Sequence, residues 1–154
     1  MIWFLRVLTL FLAVVGISTF SFGDPSLTQS TMTNVKFEPA IKTILAFHGI
    51  KSYRVPTVGE SLEAKWEGED VKFVVKSLLP NQQISWEIVG LPHTEVIYMS
   101  IEVIEKENTV LLKTQMQSHH KSDFFSRLNH LFFGSHSLKA EAKSIVELFP
   151  TSKP

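Results

Sequence analysis

The 154-residue chain contains no cysteine. That excludes disulfides, zinc–thiolate centres, a thiol nucleophile and lipidation at cysteine. It also lacks a surplus of charge, with fifteen Lys and Arg against fifteen Asp and Glu. Such a balance excludes a strongly basic nucleic-acid binder and an acidic tail. No Gly-x-Ser-x-Gly elbow, His-Glu-x-x-His pair, P-loop or dinucleotide fingerprint occurs, so none of the chemistries they carry is signalled. No Asn-x-Ser/Thr glycosylation acceptor occurs either. What is plentiful is apolar: 44% of residues are hydrophobic, with 12 Phe. That excludes a disordered chain and suits one domain around one core.

Residues Met1 to Gly23 carry a single charge, Arg6. From Val7 to Val15 only Thr9 interrupts the apolar run. Two readings follow. A secretory signal needs a positive start, an apolar centre and small residues before the cleavage point; Ser21 and Gly23 supply those, with cleavage before Asp24. A retained membrane anchor needs roughly 20 apolar residues, a length reached if Ser18, Thr19 and Ser21 are tolerated. Either way Arg6 stays in the cytoplasm by the positive-inside rule. Asp24 onward is then expected outside it, in a periplasm or against the outer side of an inner membrane.

The remainder divides into a polar lead-in at 24–34, read as a linker, a domain at 35–150 and a tail at 151–154. Met32 to Phe37 is a candidate first strand. Pro39 suits the first turn of a helix, where its missing N–H costs nothing. Phe37, Ile41, Ile44, Leu45 and His48 keep helical spacing until Gly49 stops them. After Gly59 the period changes to two. Leu62, Ala64 and Trp66 alternate with charged neighbours, then Val71, Phe73 and Val75 do so after a turn at Glu67–Asp70. Ile84, Trp86 and Ile88 share a third strand's face. Ile97, Met99, Ile101 and Val103 share the face of a long fourth strand. Lys106-Glu107-Asn108 turns the chain, and Val110, Leu112 and Met116 align in a fifth. Strands in sequence without intervening helices predict an antiparallel meander. Ser122 is the expected N-cap of a terminal helix. Its stripe runs Phe124, Phe125, Leu128, Leu131, Phe132, Ser135, Leu138, Ala142, Ile145, Val146 and Phe149. Arg127, Lys139, Glu141, Lys143 and Glu147 make the wet side, Gly134 allows a bend, and Pro150 ends the helix.

This α+β order of strand, short helix, meander and long terminal helix resembles the helix-grip fold. That is the START-like, polyketide cyclase-like (SRPBCC) superfamily. The likeness is carried by Val35 to Leu45 as strand into Pro-started helix, and by Val58-Gly59-Glu60-Ser61-Leu62 as the opening of the next strand. Leu79-Pro80 through Trp86 looks like a frequent turn and strand of that fold. Thr109 to Leu112 before the long helix looks like its last strand and lid. Only Phe47 to Val58 separates the first helix from the meander, so the second helix of the fold is short or missing. The resemblance implies a chamber between sheet and terminal helix that accepts an apolar, lipid-like molecule. Its candidate lining is Leu62, Ala64, Trp66, Phe73, Trp86, Met99, Ile101, Phe125, Leu128 and Phe132. The alternative is that these residues fill a dry core.

Residues for catalysis are sparse. His119, His120 and Asp123 form the densest cluster, but neighbours on a strand face opposite ways, and zinc wants three or four ligands. His130 and His136 are off the spacing of one helical face. His48 is expected as a satisfied, partly buried imidazole, and His93 as an exposed turn residue. The Glu residues fall mostly on wet faces, and Glu95 and Glu102 lie on opposite faces of one strand. No catalytic pair, metal set or cofactor is therefore assigned. The expected function is a non-enzymatic module binding an apolar small molecule or lipid, held to a membrane if residues 1–23 are retained. The alternative is an interaction module of a membrane complex, docking through Val74, Val89, Val96, Tyr98, Ile104 and Leu111 on the outer sheet face. A cyclase-type enzyme is a third reading, for want of acid–base residues the weakest.

Overall fold

The computed structural model describes residues 2–19, 24–106 and 109–150. The proposed cleavage positions Ser21 to Gly23, the 107–108 part of the last turn and the tail 151–154 lie outside the described residues. In chain order the elements are α1 (Ile2–Thr19), β1 (Ser26–Thr33), α2 (Phe37–Phe47), β2 (Ser61–Trp66), β3 (Glu69–Leu79), β4 (Gln83–Val89), β5 (Thr94–Lys106), β6 (Thr109–His120) and α3 (Phe124–Glu147). The strands form one six-stranded sheet in the order β1-β6-β5-β4-β3-β2, with every pairing antiparallel.

The period-two runs become strands because each has one apolar side to bury. Register lines these sides up in rows across the sheet. One row is Leu27, Met116, Met99, Trp86 and Val75; the next is Gln29, Thr114, Ile101 and Ile84. Irregularities in pairing at Val75–Ser77 and Thr94–Val96 add a residue on one strand, and such bulges bend a sheet. The β2–β3 turn is tighter than the Glu67–Asp70 segment expected from sequence. It uses only Glu67 and Gly68, both at positive φ (51° and 90°), the geometry that matches a hairpin's twist and that glycine adopts at little cost.

The concave side is closed by two helices. α2 presents Phe37, Ala40, Ile41, Ile44 and Leu45, all buried, and Pro39 sits in its first turn as expected. Between α2 and β2 the described chain has no second helix. α3 lies along β6 and β1 and also touches α1. Its C-terminal half buries Leu138, Ala142 and Ile145, followed by Phe149.

Three expectations are corrected. The polar segment 24–34 is not a linker: Ser26 to Thr33 pairs with β6 as an edge strand and buries Thr31 and Thr33. Composition misled because three of β1's four inner positions, Gln29, Thr31 and Thr33, are polar, and threonine is a β-former whose hydroxyl lowers hydropathy. The first strand is therefore Ser26–Thr33 and not Met32–Phe37. The cap of α3 is Asp123, whose carboxylate accepts from the Ser126 N–H at 3.0 Å, and not Ser122. The helix then runs unbroken through Gly134.

Candidate functional site

Most of the predicted lining is packed solid. Ala64, Trp66, Phe73, Trp86, Met99 and Ile101 are all buried in one hydrophobic cluster, and Leu62 packs half-buried against it. Trp66, Phe73 and Trp86 meet in tilted pairs with centroids 6.3 Å apart, a favourable aromatic spacing. Phe125 and Phe132 do not line the interior at all; both point to solvent, and Leu128 is only half-buried. The reason is the roll of α3. Its N-terminal half turns Ser126, His130, Gly134 and Ser137 toward the sheet and Phe125 and Phe132 away.

What remains open between sheet and α3 is a cleft of about 300 Å³. Its apolar lining is Trp66, Leu91, Ile97 and Leu138, with the exposed Phe133 at the rim. Its polar lining is His93, Ser118, His120, Ser126, Asn129, His130 and Ser137, of which Ser118 and Ser126 are buried, together with Glu67 and Glu69. Of the ten residues expected to line a ligand site, only Trp66 lines this cleft. A larger hollow of about 1200 Å³ exists, but it is an open groove between the start of α2 and the β3–β4 turn, lined by Lys36, Glu38, Asn81, Gln82, Glu102 and Glu105 among others. Phe37, Pro39, Leu79, Val103 and Ile104 are interleaved with those polar groups, and no residue of α3 lines it.

Hydrogen bonds and ring contacts hold the cleft's polar groups in place. Ser126 Oγ and His93 Nδ1 share a hydrogen bond of 3.4 Å. The Ser137 hydroxyl donates to Glu67 at 2.8 Å. The His120 and His130 rings stack with centroids 4.2 Å apart. Asp24 pairs with His119 and stands 3.3 Å from His120 Nδ1, out of line for a hydrogen bond. The histidine pair of the sequence thus meets Asp24 and not Asp123. Among the described residues no three His, Asp or Glu side chains converge as a metal site. Gly134 is needed where it lies, because a Cβ there falls well inside contact distance of the His130 ring.

One helical turn beyond Ser137 lies a buried polar pair. His48 Nδ1 bonds the Lys65 carbonyl at 3.1 Å, and its ring stacks on Trp66 at 5.4 Å. His48 Nε2 faces the Glu141 carboxyl at 3.6 Å. That separation resembles an ion pair, but the proton energetics oppose one. Burial lowers the His48 pKa to about 4, against the backbone hydrogen bond that raises it. Burial, then the nearby Glu67 charge, raises the Glu141 pKa to about 7. Desolvation outweighs the mutual attraction across 3.6 Å, so between those values both groups are neutral. His48 was expected as a satisfied, partly buried imidazole; it is fully buried, and only Nδ1 has a hydrogen-bond partner. Glu141 was expected on the wet side and is instead buried. Its spacing three after Leu138 and four before Ile145 was the available signal. For His93, Ser126, Asn129 and His130 no sequence signal existed, because their convergence depends on how α3 is rolled.

The outer sheet face carries the six residues expected to dock a partner. Tyr98 is exposed and Val74, Val89, Val96, Ile104 and Leu111 are half-buried. They are interrupted by the ion pairs Lys76–Glu87 and Lys113–Glu102.

No family profile and no curated sequence matches the chain. Solved structures do. The chain is similar to the Aha1 dimer protein from Colwellia psychrerythraea, with a TM-score of 0.53, 16% identity and 84% of this chain over 99% of that one. It is similar to a Thalictrum norcoclaurine synthase, with a TM-score of 0.51, 13% identity and coverage of 84% and 96%. It is also similar to the di-domain ARO/CYC protein BexL, with a TM-score of 0.52, 11% identity and 91% of this chain over 54% of that one. Identities this low establish a shared fold.

Proposed function

From the premise that the chain has the helix-grip fold of the START-like, polyketide cyclase-like superfamily, we propose that it is an exported, membrane-held module that binds a small amphiphilic molecule in the cleft beneath α3. The observation that carries the reading is the cleft's mixed lining, with Trp66, Ile97 and Leu138 as buried apolar surface and histidines, serines and Asn129 as polar groups. An apolar body gains roughly 25 cal/mol for each Å² it removes from water against such a surface. The polar groups offer hydrogen bonds to a polar end. About 300 Å³ suits a ring system or a short acyl chain and excludes a whole two-chain lipid. The ligand class is therefore narrower than the lipid-like guest expected from sequence. Arg6 ahead of the apolar run Val7–Val15, the pattern of an export signal, supports placement outside the cytoplasm. Among the described residues no helix is long and apolar enough to cross a membrane, so the reading asks of α1 only that it hold the chain at a surface.

The test is native mass spectrometry of the gently purified chain, followed by titration with the apolar dye N-phenylnaphthylamine. A bound apolar adduct and saturable dye uptake are expected. An Asn129→Trp variant that fills the mouth is expected to weaken uptake about ten-fold. A chain that folds yet takes up neither adduct nor dye would defeat the proposal.

A further inference from the structure

The first half of α3 leaves its largest side chains uncovered. Phe125, Phe132 and Phe133 are 71%, 66% and 61% exposed, with Leu131 also exposed beside them. A helix face of this kind on a small domain marks something that covers it. Two further observations identify the cover. α3 touches α1, whose own apolar residues from Ile2 to Val15 are exposed, so a second greasy helix adjoins it. That surface is also short of acid. Within 2–19 and 124–140 the charged residues are Arg6, Arg127 and Lys139, with Asp123 capping α3 and Glu67 bonded to Ser137 at the edges.

We infer that α1 and the aromatic face of α3 together dock on a lipid bilayer with anionic headgroups. Exposed Phe, Leu and Trp enter the acyl boundary while arginine and lysine meet the phosphates. A second copy of the chain fits less well. Two-fold pairing through this face turns Arg6 and Lys139 toward their own copies. The cleft opens beside Phe133, so docking brings its mouth close to the membrane. The inference rests on the membrane placement proposed above and is independent of what the cleft binds.

The absence of cysteine makes the test site-specific. The full chain carrying Phe132→Cys is labelled with the polarity-sensitive fluorophore NBD, and a second sample carries the label at Lys72→Cys on the outer sheet face. Each is mixed with vesicles of pure phosphatidylcholine or of phosphatidylcholine with one quarter phosphatidylglycerol. With the anionic vesicles, emission at 132 is expected to rise about three-fold, less with the neutral ones, while emission at 72 stays flat. A double variant, Phe125→Ser and Phe132→Ser, is expected to keep its melting midpoint and lose about ten-fold in vesicle partitioning. Co-sedimentation with no change at 132 would show that α1 alone binds and would overturn the inference. So would no co-sedimentation, or shielding at 132 in a lipid-free dimer seen by light scattering. Vesicle binding without dye uptake sinks only the ligand reading; dye uptake without vesicle binding sinks this inference and the membrane placement and leaves the ligand reading standing.

Discussion

The His48–Glu141 pair shows how burial decides chemistry at a single contact. In water the two side chains at neutral pH are a carboxylate and a largely neutral imidazole. Beneath α3, Glu141 keeps its proton to about pH 7 and His48 refuses one until about pH 4. The consequences for stability have opposite signs. Because the folded Glu141 pKa is raised, the folded state holds the extra proton, and stability is lost as pH rises from about 4.5 to about 7. Because the folded His48 pKa is lowered, stability is lost as pH falls from 6.5 toward 4. Glu141→Gln removes the first effect and keeps the shape. The variant is expected to gain on the native chain through pH 5–7 and level off above, by about 1–2 kcal/mol once solvent screening is allowed for. Urea unfolding across pH checks this. A variant that is less stable than the native chain at pH 8 would mean the pair is ionic.

At the scale of the element, α3 has two halves with different partners. The C-terminal half obeys the usual rule, burying Leu138, Ala142 and Ile145. The N-terminal half inverts it, with Ser126 and His130 inward and Phe125 and Phe132 outward. Gly134 lies between them and leaves room for His130, which stacks on His120 of β6. In a helix interior Gly→Ala ordinarily gains about 1 kcal/mol. Gly134→Ala is expected to forfeit that gain, because the new methyl displaces the His130 ring. In a His130→Ala background the same substitution is expected to recover about 1 kcal/mol. Urea denaturation of the four proteins closes the cycle; equal effects in both backgrounds would show that the close approach does not constrain the helix.

Across the whole molecule, β1 and α1 differ in what they hold together. No described residue of α1 joins the hydrophobic core, and its contact is with α3. β1 pairs with β6 over its whole length and lies beneath α3. A chain beginning at Asp24 is therefore expected to melt within about 4 °C of the full one, less than about 1 kcal/mol. A chain beginning at Val35 loses the edge strand and is expected to lose cooperative unfolding, as thermal circular dichroism would show. The reverse order of effects would make α1 part of the fold. By itself the sequence determined the meander, α2 and the position of α3, because burying one side of a strand or helix imposes a period that any reader can count. Ala64, Phe73, Trp86, Met99 and Ile101 were legible as interior residues for the same reason. The polar edge strand was not, since its partner is remote in sequence and its hydropathy is low. Nor was the cleft. Ser126, Asn129 and His130 approach His93 and His120 only once α3 is laid on the sheet at one particular roll, and periodicity specifies a face without saying what it will face. The tertiary structure settled that roll, setting the polar side of the half-helix over the cleft and leaving Phe125 and Phe132 in the open.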